Sequence, residues 1–354
     1  MSLKLNELTS LGWTSFFAEQ LDESDADLIP ARISEVRRDV VMALSADGVV
    51  DLITPPDMPV SELAVGDWVL ARSENRVERV LERRTRINRR AAGHDARSQL
   101  IAANVDVLFV TTSCNADFNA ARLERYLVMA ASAGCVPVLV LTKADLEKAA
   151  PYIEQAQELQ PGLAVVALNA KDPGAVAQLM EHWQAGETAA LLGSSGVGKS
   201  TLTNALTGVV DGAPLTAAIR EDDAKGRHTT TTRNLYPALN GRWIIDTPGM
   251  RELQLLDAQD GIGAVFADLE ELSTQCKFRN CAHGGEPGCA IGAAIKAGDL
   301  SEDRLTRWQK LTQEDALNTE TVHEARSRGK ATTRYQRRTQ EEAASRKGKH
   351  KKKR

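Results

Sequence analysis

The octapeptide "GSSGVGKS", Gly193 to Ser200, fits the spacing G-x-x-x-x-G-K-[ST] in full. Such a loop turns backbone N–H groups inward around phosphates. Gly193, Ser194, Ser195, Gly196, Val197, Gly198 and Thr201 would line the anion. Lys199 would neutralise the β- and γ-phosphates, and the Ser200 hydroxyl would bind Mg2+. A helix starting near residue 199 would point its positive end at the same charge. About fifty residues on, "DTPG" (Asp246 to Gly249) ends the apolar run "RWII". An aspartate there can hold Mg2+ through a water, and the Gly249 N–H can sense a γ-phosphate. Between the two lies "KGRHTTTTR", Lys225 to Arg233. One threonine would coordinate Mg2+ and touch the γ-phosphate: Thr230 is the first choice and Thr229 the alternative. A polar loop with no ligand has the same composition. Met250 occupies the position where many GTPases orient water with a glutamine, and a thioether cannot do so. His228 is the candidate replacement, able to orient or deprotonate water; a surface histidine is the plainer reading. The expected catalytic set is His228, Lys199 and Thr230.

Two further stretches precede the loop. "LTKAD" supplies Thr142, Lys143 and Asp145 at a strand end. The Asp145 carboxylate can accept from guanine N1–H and N2–H2, a donor pair that adenine lacks, while Lys143 would lie along the base plane. "NAKD" supplies Asn169, Ala170 and Lys171, with the Ala170 N–H available to guanine O6. Each is weak alone; at the ends of successive strands they form a guanine pocket, because ligands of open α/β sheets bind beyond the carboxyl ends of the strands. The order along the chain is then base, base, phosphate loop, threonines, D-x-x-G: a circular permutation of a nucleotide-binding domain. A fourth pattern, "CKFRNCAHGGEPGC", places Cys276, Cys281, His283 and Cys289 as C-x4-C-x-H-x5-C. Three thiolates and one imidazole suit a closed, structural zinc site.

These motifs need elements to hold them. From Leu28 to about residue 85, "ARISEVR", "DVVMALS", "GVVDLIT", "DWVLARS" and "RVERVLE" are short β-rich runs separated by turn signals. Five such strands suit a small barrel, with an OB-fold as first choice. Residues 1–27 suggest a helical extension, and the basic stretch 86–99 a linker. From residue 100 to 252 buried strands alternate with helices, the pattern of a mostly parallel sheet covered on both faces. Residues 253–320 are mainly helical around the Cys/His cluster. Residues 321–354 form a tail with 13 Lys/Arg against 3 Asp/Glu, or +10, leaving −14 for the remainder of a chain whose net charge is −4. An interaction arm for a polyanion and a solvated tail both fit that composition. Cys114 and Cys135 lie in apolar surroundings and are expected as buried thiols. No apolar run reaches the ~18–20 residues that span a bilayer, and the N-terminus lacks a secretory signal, so a cytoplasmic monomer is expected.

The barrel, the permuted motifs and the C-x4-C-x-H-x5-C cluster, in that order, resemble the circularly permuted GTPases of small-ribosomal-subunit biogenesis, the RsgA/YjeQ family, over residues 28 to 310. The resemblance implies a multidomain chain: an N-terminal OB-fold β-barrel that binds rRNA, a central α/β P-loop GTPase domain, and a mainly α zinc-binding domain that docks on the subunit. It implies GTP and Mg2+ as substrate and cofactor, one structural Zn2+, and slow hydrolysis accelerated by the small subunit during late maturation. The switch histidine, here His228, is the family's proposed catalytic group, and an apolar residue at Met250 fits the family. Thr142 departs from the commoner Asn, which would bond guanine N7 and brace the phosphate loop; Thr is expected to do less of this. A nucleotide-gated rRNA-binding module with negligible turnover, and an unrelated P-loop ATPase, are the competing readings.

Overall fold

The computed structural model describes residues 2–37, 40–90, 98–208, 233–246, 255 and 257–319. Six strands form the central sheet: β8 (Val107–Ser113), β9 (Val136–Thr142), β10 (Ala164–Ala167), β11 (Thr188–Gly193), β12 (Asn234–Ala238) and β13 (Arg242–Asp246). They lie in the order β10-β9-β8-β11-β13-β12. All pairings are parallel except β12 with β13. These strands are near-continuous apolar runs because both of their faces are covered. Alternation divides them between two cores. Leu108, Val110, Leu139 and Leu192 face one; Val107, Phe109, Val138 and Leu191 face the other, with Trp183, Leu202 and Leu206. The "LNG" turn between β12 and β13 carries left-handed φ angles of 57° at Asn240 and 71° at Gly241, which those residue types tolerate.

Ahead of this sheet, β1 (Ile29–Val36), β2 (Val41–Ser45), β3 (Gly48–Leu52), β4 (Trp68–Ala71) and β5 (Val77–Val80) match the five β-rich runs. β1 pairs with both β2 and β4, β2 with β3, and β4 with β5. A parallel bridge from Ile53 to Arg76 joins the end of β3 to the start of β5 and closes the circuit. The enclosed core is Ala31, Ile33, Val41, Leu52, Val69 and Val77. The barrel meets the central sheet at one antiparallel pair, Glu35 of β1 with Asn234 of β12. Nearby the buried Arg32 guanidinium donates to the Leu11 carbonyl and, at 2.5 Å, to Thr188 Oγ1 at the foot of β11.

Two segments differ from expectation. Residues before 28 do not stand apart: α1 (Ser2–Ser10) and α2 (Ser15–Ala18) lead into an aromatic cluster on the barrel. In it Trp13, Phe17, Leu8 and Leu81 pack on Trp68, with Trp13 edge-on to Trp68 at 4.8 Å. The stretch expected as a linker, 86–99, supplies β6 (Arg86–Arg90), which pairs antiparallel with β7 (Ser98–Ala103). Ile87 and Ile101 are fully buried there, and Val65 bridges to Ala102. Ile87, set among basic residues, and Ile101 on the partner strand both join the sheet domain's core.

Helix α3 (Ala120–Ala133) follows β8, starting where the Asn119 side chain accepts from the Arg122 N–H and ending at Gly134 with φ 79°. The helix Gln259–Val265 lies against it, so close that a Cβ on Gly261 would fall 2.1 Å from Ser132 Oγ. Helices Ala267–Thr274 and Ala290–Ala297 flank the cysteine cluster, and a last helix spans 302–319. That helix is fastened to α3 by charge. The buried Glu124 carboxylate accepts from Arg307 at 2.6 Å and Arg304 at 3.2 Å. Arg304 also grips Asp268 with two bonds of 2.8 Å and covers the Phe266 ring. Burial lifts the Glu124 carboxyl above its usual range, an effect opposed by Arg307 and Arg304. Removing either arginine alone would leave the buried Glu124 carboxylate with a single cationic partner.

Candidate nucleotide and metal sites

The phosphate loop joins β11 to α6 (Lys199–Thr207). Its glycines are required by space and by φ. A Cβ on Gly193 would sit 2.1 Å from the Thr111 carbonyl oxygen, because β11 and β8 approach closely there. Gly196 and Gly198 have φ of 79° and 97°, the left-handed region that L side chains avoid. Lys199 Nζ curls over the loop and donates to the carbonyls of Gly193 at 2.8 Å and Ser194 at 2.5 Å. Ser195, Gly196, Ser200 and Thr201 are exposed at the rim, and Val197 is buried beneath it.

The Thr142–Asp145 turn stands beside this loop. Thr142 ends β9, and Lys143 adopts φ 58°, a conformation that costs a non-glycine residue about 1–2 kcal/mol. That turn sends the Lys143 ammonium to the Gly196 carbonyl at 2.9 Å. The Thr142 hydroxyl lies 2.5 Å from the Val197 carbonyl and 3.1 Å from that of Thr112. Thr142 thus braces the phosphate loop, the task expected to suffer from the loss of Asn. A buried hydroxyl reaches the carbonyl because the two strand ends are only one strand apart. Asp145 projects exposed from the following turn. That turn is tied to the segment after β10 through Leu168, whose carbonyl accepts from the Ala144 N–H at 3.4 Å. Asn169 closes its own turn through the Lys171 N–H at 3.0 Å, and Ala170 is buried beneath. Asp246 ends β13, on the far side of β11. The structure therefore brings Thr142, Lys143, Asp145, Asn169, Ala170, Lys171, Gly193 to Thr201 and Asp246 to one edge of one sheet. His228, Thr229, Thr230, Gly249 and Met250 lie outside the described residues.

Tyr126 and Glu124 on α3 were not legible as site neighbours. Tyr126 is buried on α3. Burial pushes the Tyr126 phenol up, with Arg122 opposing. An acidic residue amid "ARLERYLVMA" was the available signal, since a buried Glu demands a cationic partner.

The Cys276, Cys281, His283 and Cys289 ligand atoms all lie within 4.8 Å of one another. Cys276 Sγ is 4.0 Å from Cys289 Sγ and 3.7 Å from His283 Nδ1, which is 3.5 Å from Cys289 Sγ. Tetrahedral zinc, with Zn–S near ~2.3 Å and Zn–N near ~2.0 Å, sets such edges at about 3.5–3.8 Å. The donor set and spacing fit Zn2+. Backbone N–H groups of Ala290 and Gly292 point at the sulfurs of Cys276 and Cys289, at 3.4 and 3.3 Å, as they would toward thiolates. Trp308 of the 302–319 helix packs on the His283 ring at 5.6 Å. Replacing Cys281 with serine is expected to abolish stoichiometric zinc by elemental analysis. It should also lower the melting temperature of the C-terminal region by roughly 10 °C or more. Full zinc content in that variant would remove Cys281 from the ligand set.

Comparison with known proteins gives two kinds of match. A family model described as RsgA GTPase matches residues 80–256. A second, described as ABC transporter, matches 176–352. The second includes the phosphate loop, common to many nucleotide-binding proteins, but omits β9 and Asp145. The small ribosomal subunit biogenesis GTPase RsgA of Mesorhizobium japonicum is 54% identical over 315 residues, 88% of this chain and 91% of that relative. The protein named small ribosomal subunit biogenesis GTPase RsgA 2 in Vibrio vulnificus is 46% identical, covering 91% of each chain. Among solved structures, YjeQ from Thermotoga maritima superposes with TM-score 0.60 at 23% identity, over 81% of this chain and 98% of that one. YloQ, described as a circularly permuted GTPase, gives 0.56 at 23% identity, over 83% and 97%.

Proposed function

Because the chain belongs to the RsgA GTPase family and is therefore a GTP hydrolase, we propose that it works on the small ribosomal subunit, hydrolysing GTP to GDP and phosphate during late maturation. The observation that carries the site assignment is the pair of bonds from Thr142 and Lys143 onto the Val197 and Gly196 carbonyls. They hold the Thr142–Asp145 turn against the phosphate loop.

In that cleft Asp145 selects guanine, with the Ala170 N–H at O6 and Lys143 along the ring. Backbone N–H groups from Ser194 to Thr201 hold the phosphates. Lys199 leaves its carbonyl partners to meet the charge that develops on the β–γ bridge. His228 orients the attacking water in place of the glutamine that Met250 replaces. Mg2+, held by Ser200 and Thr230 with Asp246 behind a water, would supply further neutralisation of the phosphates.

The closed pairing circuit of β1 to β5 supports an OB-fold reading of this barrel, and we assign rRNA contact to it. The zinc-holding helical region docks on the same subunit, the basic tail of residues 321–354 adds phosphate contacts, and the protein acts as a cytoplasmic monomer. The relatives' printed names support the ribosomal partner. The test is steady-state GTP hydrolysis with and without purified small subunits, for wild type and His228→Ala. Subunits should stimulate wild type strongly. The variant should lose about 10²-fold or more of stimulated turnover while retaining GTP binding. Stimulation that survives in the variant moves the water-orienting role off His228. Absence of stimulation in wild type favours a nucleotide-gated RNA-binding role.

A further inference from the structure

The loop between the helices Ala267–Thr274 and Ala290–Ala297 exposes four consecutive residues, Lys277, Phe278, Arg279 and Asn280. Phe278 is 47% exposed, and among the described residues it is the one exposed aromatic side chain. Its backbone is held on both sides. The Lys277 N–H donates to the Gly288 carbonyl at 3.0 Å, and the Cys281 N–H donates to the Phe278 carbonyl at 3.2 Å. Gly288 has φ 81°, and a Cβ on it would fall 2.9 Å from the Lys277 Cβ, so the two arms of the loop are closely packed. The Lys277 ammonium lies over the Phe278 ring, 5.5 Å from its centroid. The ring therefore has one face under its own cation and one face left for a flat partner. The carboxylate of this loop, Glu286, is half-buried and accepts from the Ala282 N–H at 2.9 Å. Lys277 and Arg279 are the charges that the tip presents.

We propose that Phe278 is a stacking platform for one unpaired RNA base, with Lys277 and Arg279 on the phosphates either side of it. A base stacks on an aromatic face whatever its sequence, because every base has a π-face. Bases inside a duplex already have neighbours above and below, so the ring takes only a single-stranded, looped or flipped-out nucleotide. The flanking cations favour a phosphate chain over a cationic peptide. They also matter more here than on a basic protein, because the chain outside its tail carries −14 and repels a polyanion elsewhere. The loop's backbone bonds hold the ring in place before the base arrives, which keeps the ordering cost of binding low. The inference deepens the proposed function by giving the C-terminal region a ligand class, and it rests on that reading for which RNA is met in the cell. The platform itself stands without it.

The experiment uses the full chain and free RNA, so its outcome does not depend on whether subunits stimulate. A fluorescent single-stranded oligouridine and a duplex RNA of the same length are titrated over a range of salt, for wild type, Phe278→Ala, Phe278→Leu, Phe278→Trp and Arg279→Gln. Zinc content and melting temperature are read alongside. The same oligouridine carrying 5-iodouridine is photocrosslinked, and the attached residues are mapped by mass spectrometry. Phe278→Ala and Phe278→Leu should weaken single-strand binding about five- to fiftyfold at unchanged salt slope, the loss of one stacked base. Phe278→Trp should bind as well as wild type or better. Duplex binding should not change in any Phe278 variant. Arg279→Gln should lower the slope of log affinity against log salt by about 0.7, the loss of one phosphate contact. Wild type should yield a crosslink at Phe278. Wild-type single-strand affinity in Phe278→Ala, with crosslinks confined to the barrel or the tail, overturns the proposal and leaves rRNA contact to those regions. Equal losses in Ala, Leu and Trp variants overturn it too, making the ring a packing element of the loop. Lost subunit binding in Phe278→Ala with free-RNA binding intact overturns it in favour of a protein surface. A Phe278 crosslink without any stimulation of GTP hydrolysis by subunits leaves the platform standing and removes the ribosomal reading instead.

Discussion

Changing Asp145 to asparagine is expected to weaken GTP binding by about 10²–10⁴-fold and to transfer the preference to xanthosine triphosphate. The carboxylate accepts from two ring donors of guanine, and charge-assisted bonds of this kind contribute about 1.5–3 kcal/mol each. Asparagine presents a donor where the guanine N2–H2 needs an acceptor. Xanthine carries a carbonyl at that position and restores the match. Asp145 is exposed on a turn and packs against nothing that a neutral amide of equal size would disturb, so stability should be unchanged. Equilibrium titration with fluorescent guanine and xanthine nucleotides checks the exchange. Equal loss for both bases, or none, would take Asp145 out of the base pocket. Competition by ATP against wild type should fail in the same assay, which removes the ATPase reading.

Lys199→Ala should lower GTP turnover by about 10²–10³-fold at saturating nucleotide, the cost of one preorganised donor aimed at transition-state charge. In the structure the ammonium bridges the carbonyls of Gly193 and Ser194. Its loss therefore also frees the mouth of the loop, and a moderate rise in the nucleotide dissociation constant should accompany the fall in kcat. Single-turnover kinetics with pre-bound GTP separates the two. Wild-type single-turnover rates in the variant would show that the loop's N–H groups carry the charge alone.

Motifs with fixed spacing were the most legible part of this chain. The 193–200 loop lies between a strand and a helix, the Thr142–Asp145 turn at a strand end and the Cys3His cluster in a tight loop, since each arrangement needs only local geometry. The five barrel strands and the alternating sheet were legible because burial writes a period into the chain. What the sequence hid are contacts made at long range. Thr142 looked like a weakened Asn until the strand order set it beside the Val197 carbonyl. Arg32 sits in a β-rich run like any surface arginine, yet it is buried against Thr188. The basic stretch 86–99 reads as a linker, but it opens with a strand paired to β7 and its Ile87 is buried. In each case the partner lies far along the chain, and periodicity carries no information about partners.

The strand order β10-β9-β8-β11-β13-β12 also dictates how the molecule is made. Of the six central strands, β8, β9 and β10 leave the site of synthesis first and can pair with one another at once. The free edge of β8 must then wait some seventy residues past its own last residue for Thr188–Gly193 to cover it. β1 waits far longer for its Asn234 rung. An unpaired, apolar, parallel edge is an aggregation hazard while it lasts. The permutation therefore exposes the nascent β8–β10 half to chaperones and to stray strand pairing. Nucleotide can rescue it only after the phosphate loop has been translated.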